Sequence, residues 1–83
     1  MNTELQIQLA QQIWNDVEGN PNIVYLYNSR EFSKEQNMAI QDLLKRGVIK
    51  RNKHSFSVSS QTKFFLEHDG KTKFEIKENE EKK

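Results

Sequence analysis

Leu5, Leu9, Ile13 and Val17 recur at every fourth position, with Ala10 and Trp14 on the same side, the spacing of one buried helical face. Thr3 and Gln6 form a reciprocal cap signal at its start, and Gly19 followed by Pro21 stops it, so a first helix is expected to end near Glu18. After the turn Gly19-Asn20-Pro21-Asn22, the run Ile23-Val24-Tyr25-Leu26-Tyr27 is β-branched and aromatic, which predicts a short strand or extended segment. Ser33 with Gln36 repeats the capping pattern. Ala39, Ile40, Leu43 and Leu44 then form a second apolar face, predicting a helix from about Lys34 to Arg46 with Gly47 as its stop.

Val48–Arg51 and Ser55–Val58 read as two strands joined by Asn52-Lys53-His54, with Phe56 and Val58 on one face. Ser59 and Ser60 offer caps for a short helix over Gln61 to Glu67 that returns Phe64 and Phe65 to the core. A hairpin is the rival reading of this stretch, because Asp69-Gly70 favours a tight turn that would pair Phe65 with Phe74. Phe74 and Ile76 alternate with charges and suggest a final short strand. The domain is therefore expected to span residues 1–77, and Glu78–Lys83, with no apolar group to bury, to form a disordered charged tail.

Composition narrows the class. In 83 residues, 34% are apolar and 30% charged, proportions of one small globular domain with a modest core. The longest apolar runs fall far short of the roughly 20 residues that span a bilayer, and the start lacks the form of a secretory signal, so the expectation is a cytoplasmic protein without membrane insertion. With no cysteine, thiolate metal sites and disulfides are excluded and packing alone must hold the fold.

The net charge of +1 conceals a marked asymmetry along the chain. Residues 1–42 carry two cations against six acids, whereas residues 43–66 carry Lys45, Arg46, Lys50, Arg51, Lys53 and Lys63 with no acid. That block covers one helix end and the hairpin, where cations would meet phosphates and release counterions. A structural need would produce the same block, since edge hairpins use cations to avoid pairing with other strands and helix ends favour positive charge.

The stretch Ala39-Ile40-Gln41-Asp42-Leu43-Leu44-Lys45-Arg46-Gly47-Val48-Ile49-Lys50-Arg51, followed by Phe56-Ser57-Val58-Ser59-Ser60 and Phe64-Phe65-Leu66, resembles the second half of a winged helix, over residues 33–68. It is also similar to winged-helix modules appended to some bacterial P-loop NTPases and membrane-associated regulators, which are often docking or regulatory parts. The resemblance implies a winged-helix-like α+β fold with two main helices, a short third, and a small antiparallel sheet ending in a basic hairpin wing. One departure stands out: Asn28–Phe32 leaves room for no more than a turn where a DNA-reading member has a positioning helix. Either that helix is reduced or Ile23–Tyr27 is itself helical.

The candidate nucleic-acid-binding residues are Lys45, Arg46, Lys50, Arg51, Lys53 and His54, joined by Gln36, Asn37 and Gln41 if the second helix reads base edges. Lys34 would share that helix surface, and Glu35 and Asp42 there would repel phosphate. Trp14, Tyr25, Tyr27, Phe64 and Phe65 read as core rather than as a stacking platform. His54 and His68 lack the spacing of a metal-ligand set, and Glu67-His68-Asp69 reads as an exposed turn. No nucleophile motif or phosphate-cradling loop occurs, so no enzymatic activity and no cofactor is expected. The expected function is binding: of nucleic acid, or an acidic protein surface, through the basic hairpin with low sequence specificity, or of another protein as a docking or regulatory module that uses the apolar surface of Ile23–Tyr27 and the wing. An accessory protein of a phage or mobile element is a third possibility.

Overall fold

The apolar period of the N-terminal stretch becomes helix α1, Thr3–Asp16, which buries Leu9, Ala10 and Ile13. The computed structural model describes residues 3–81, with side chains through Lys77. Gly19 ends the first helical segment at φ +66, its N–H bonded to the Trp14 carbonyl at 2.9 Å. A Cβ there would lie 2.7 Å from the Trp14 ring, so both the left-handed backbone and the indole packed beneath it require glycine.

The chain then enters β1, Tyr25–Leu26, and a 3₁₀ turn at Ser29–Glu31. Ile23–Tyr27 is thus not helical, and a single turn is all that stands between β1 and the next helix. Helix α2, Lys34–Lys45, opens with the expected capping box: the Gln36 N–H donates to Ser33 Oγ at 3.1 Å and the Ser33 N–H to Gln36 Oε1 at 2.8 Å. β2, Lys50–Asn52, and β3, Ser55–Ser57, form the expected hairpin. β3 is central in an antiparallel sheet of order β1-β3-β2, with Tyr25 and Arg51 both opposite Phe56.

The core lies where α1 and α2 meet this sheet. Val17, Ala39, Ile40, Leu43, Val48, Ile49, Phe56, Val58 and Phe65 join the α1 residues there. Phe56 is fully buried, with the Tyr27 ring 4.7 Å away and Tyr25 stacked at 6.4 Å. Truncating a phenylalanine so placed costs about 3–5 kcal/mol. Of the aromatics read as core, Phe65 is buried within it and Trp14, Tyr25 and Tyr27 are half-buried against it, whereas Phe64 stands outside the cluster, stacked on His68 with ring centres 3.8 Å apart.

Helix α3, Ser60–Glu67, prevails over the rival hairpin. Asp69 and Gly70 do take the positive φ values of a tight turn, 53° and 87°, but they use them to close the helix, with the Gly70 N–H donating to the Phe65 carbonyl at 2.9 Å. The strand expected at Phe74 and Ile76 is instead part of helix α4, Lys73–Glu81. Its start is a third reciprocal cap, after those of Ser33 with Gln36 and Ser59 with Thr62, in which the Glu75 N–H donates to Thr72 Oγ1 at 3.2 Å and the Thr72 N–H to Glu75 Oε2 at 3.4 Å. Two alternating apolar residues cannot outweigh that cap without a strand to pair with. The backbone of α4 continues into the stretch expected as a charged tail, whose side chains, with all of Lys82 and Lys83, lie outside the described residues.

The result is a small α+β domain of helices around a three-stranded antiparallel sheet, an order of elements compatible with a winged-helix-like fold. No helix among the described residues is long and apolar enough to cross a membrane.

Candidate binding surfaces

Arg46, first of the expected anion contacts at a helix end, is turned inward. Its Nε and Nη2 donate to the two Glu75 carboxylate oxygens at 2.9 and 2.8 Å, Nη1 donates to Gln6 Oε1 at 2.7 Å, and Nη2 also to the Gly70 carbonyl at 2.7 Å. The guanidinium carbon lies 5.2 Å from the centre of the Phe65 ring, and the side chain is only 19% exposed. Arg46 thus ties the end of α2 to α1, the α3–α4 connection and α4, and is removed from the anion-binding set. The same contacts make Gln6, expected as the cap partner of Thr3, a buried acceptor at 2% exposure.

Two of the three amides expected to read bases are also committed. Gln36 closes the α2 capping box. Asn37 accepts a hydrogen bond from the Tyr27 hydroxyl through Oδ1, while its Nδ2 donates to the carbonyls of Ser29 and Phe32 at 3.0 and 3.3 Å. It fastens the 3₁₀ turn and β1 to α2. Gln41 and Lys34 remain exposed on α2 together with Glu35.

The hairpin retains its charges in solvent. Lys50, Arg51, Lys53 and His54 are all exposed, and among the described residues none of them forms an ion pair. Register decides their directions. Arg51 lies opposite Phe56 and so projects from the same face of the sheet, whereas Lys50, opposite Ser57, projects from the other. Lys53 occupies the turn at φ +56, and its carbonyl accepts from Arg51 Nε at 3.1 Å. The cations therefore sit on both faces and the tip of a narrow finger. Lys45 is exposed too, but on α2, beside Asp42 and Gln6 in a groove between α1 and α2. The sequence run thus separates into a half-buried Arg46, Lys63 on α3 at 3.9 Å from Glu67, a separate Lys45 and the hairpin group.

No protein-family model, curated protein or solved structure matches the chain. Function must then be argued from surface chemistry. Among the described residues no cluster of three or more histidines and carboxylates is placed to hold a metal.

Two apolar surfaces are open, one on the Ile23–Tyr27 segment and one between α1 and α2. Leu26 on β1 is 78% exposed, beside exposed Ile23 and Val24. The Tyr27 N–H donates to the His54 carbonyl at 2.8 Å, so by antiparallel alternation the N–H and C=O of Leu26 face the open edge. The other surface is the α1–α2 groove, of about 500 Å³, lined by Leu5, Met38 and Ala39 with Glu35 and Asp42. Met38 is 64% exposed, and Asp42 Oδ2 is out of water with no hydrogen-bond partner.

Proposed function

We propose that this protein is a non-enzymatic binding module whose β2–β3 hairpin contacts the phosphates of duplex nucleic acid with little sequence selectivity. The observation that carries this reading is the placement of Lys50, Arg51, Lys53 and His54, exposed and unpaired by acids, on both faces and the tip of one finger. A flat phosphate surface would engage one of those faces. A groove walled by phosphates on two sides engages both, and the major groove, about 12 Å wide, admits a two-stranded ribbon. Low selectivity follows from α2, where Gln36 and Asn37 are held internally and Glu35 opposes approach to phosphate.

Titration of a mixed-sequence duplex at several salt concentrations tests this. Three phosphate contacts give a slope of log affinity against log salt of roughly −2.7. Replacing Lys50, Arg51 and Lys53 with glutamate abolishes binding. Absence of binding at low salt, or affinity indifferent to salt, would overturn the proposal.

The open edge of β1 favours a second reading, a docking module for another protein. Its exposed Leu26, with backbone groups directed outward, is the arrangement by which an extended segment adds to a sheet. On this reading Leu26→Lys removes partner affinity, while the hairpin triple substitution leaves it intact.

A further inference from the structure

The sheet ends in two edges of opposite chemistry. In the order β1-β3-β2, both β1 and β2 are edge strands. β2 carries Lys50 and Arg51, whereas β1 carries Leu26, with exposed Ile23 and Val24 just before the strand. Leu26 pairs in register with Ser55, and its neighbour Tyr25 with the buried Phe56. The Leu26 side chain therefore projects from the sheet face opposite the core, and that of Tyr25 from the core face. By the same alternation the Leu26 N–H and C=O point along the open edge, where an added strand would meet them.

The two faces beside that edge differ. On the outer face Leu26 offers apolar surface. On the core face the Tyr25 hydroxyl accepts from Gln12 Nε2 at 3.4 Å, and Asp16 lies one helical turn further along the same side of α1. Glu31 belongs to the 3₁₀ turn that follows β1. Burial is the largest influence on the Tyr25 phenol, and the charges that act on it are those of Asp16 and Glu31, with no cation among the described residues, Arg30 of the same turn included. Both carboxylates are exposed, and among the described residues neither forms an ion pair.

Successive side chains of a strand point to opposite faces, so a segment laid on this edge turns every second residue to Leu26 and the others toward the carboxylates. Charge decides among the occupants. Two copies meeting β1 to β1 bring their carboxylates together, and an acidic segment is drawn instead to the cations of the β2 edge.

We propose, resting on the docking reading of β1, that its partner is an extended protein segment in which apolar and basic residues alternate, the apolar ones against Leu26 and the basic ones toward Asp16 and Glu31. Fluorescence anisotropy of labelled peptides of about eight residues, titrated with the full chain at low salt, tests it. A peptide of alternating valine and lysine binds about fivefold or more tightly than one of valine and glutamate, and about tenfold or more tightly than one of serine and lysine. Leu26→Pro, which removes an N–H directed away from β3, weakens the valine–lysine peptide about tenfold or more. Asp16→Lys combined with Glu31→Lys, both at exposed positions, inverts the order of the valine–lysine and valine–glutamate peptides. Circular dichroism of each variant confirms that the fold is kept. If the valine–glutamate peptide binds the native chain as tightly as the valine–lysine one, and Leu26→Pro weakens both, the basic partner is overturned and the docking reading stands. If no peptide binds, or binding survives Leu26→Pro, both are overturned. A serine–lysine peptide equal to the valine–lysine one overturns the apolar contact, and an order unchanged in the double variant overturns the assignment to Asp16 and Glu31. Self-association of the chain alone that Leu26→Pro abolishes gives the edge to a second copy and overturns the proposal.

Discussion

Arg46 and Arg51 stand five positions apart in the same acid-free stretch, yet the fold gives them opposite tasks. Arg46 follows a helix end that abuts α1 and α4, and its planar fork there meets a carboxylate, an amide oxygen, a carbonyl and the Phe65 ring. Arg51 lies on an edge strand of three residues, all of them exposed, and its side chain bonds, among the described residues, to the turn beside it. A charge surrounded by several elements becomes structure, and one on a single edge stays available to a ligand. A run of positive residues is therefore evidence of an anion site only after the members consumed by packing have been removed.

The comparison is broken or sharpened by substitution. Arg46→Ala should have the largest effect, a loss of about 2–4 kcal/mol in urea unfolding, because it leaves the half-buried Glu75, the Gln6 oxygen and the Gly70 carbonyl without their donor. A loss below about 0.5 kcal/mol would mean the clamp is as incidental as most surface pairs. Asn37→Ala should cost about 1–2 kcal/mol by releasing Tyr27 and the 3₁₀ turn, whereas Gln41→Ala on the same helix should change stability by less than about 0.5 kcal/mol.

Alkaline titration yields a smaller effect. Burial pushes the Tyr25 phenol above its ordinary value, opposed by the Gln12 hydrogen bond and aided by the charges of Asp16 and Glu31. The folded state then holds its proton more tightly than the unfolded state. The stabilisation is complete below the ordinary tyrosine pKa of about 10 and is lost as pH rises through it toward the folded value. Tyr25→Phe should remove that part of the alkaline decline, seen by repeating urea unfolding across this range. Smallest of all should be the stability change for Arg51→Ala, within about 0.5 kcal/mol, while its duplex affinity falls and the salt slope shrinks by about 0.9. Equal stability losses at positions 46 and 51 would erase the contrast.

Much of the fold could be read locally. The period of α1, the Ser33–Gln36 box and Gly47, and the Ser59 cap of α3 each rest on residues within one or two turns of one another, so the sequence carries the whole signal. α4 was missed although its cap, Thr72 with Glu75, was equally local; the Phe74–Ile76 alternation imitated a strand. Of the candidate site, the exposure of Lys50, Arg51, Lys53 and His54 was legible because a short polar hairpin has little to bury against. The inward turn of Arg46 was not, since its partners Gln6 and Glu75 lie 40 and 29 residues away.

By itself, then, the sequence determined the elements that depend on neighbours in the chain: helix periods, caps, stops and the hairpin with its charges. Only the tertiary structure decided which of those charges face solvent, which amides are spent on the 3₁₀ turn, and that an apolar slot opens between α1 and α2. The reason is physical. Backbone preferences act over a few residues, whereas burial and the pairing of a polar group depend on whatever distant segment packs beside it.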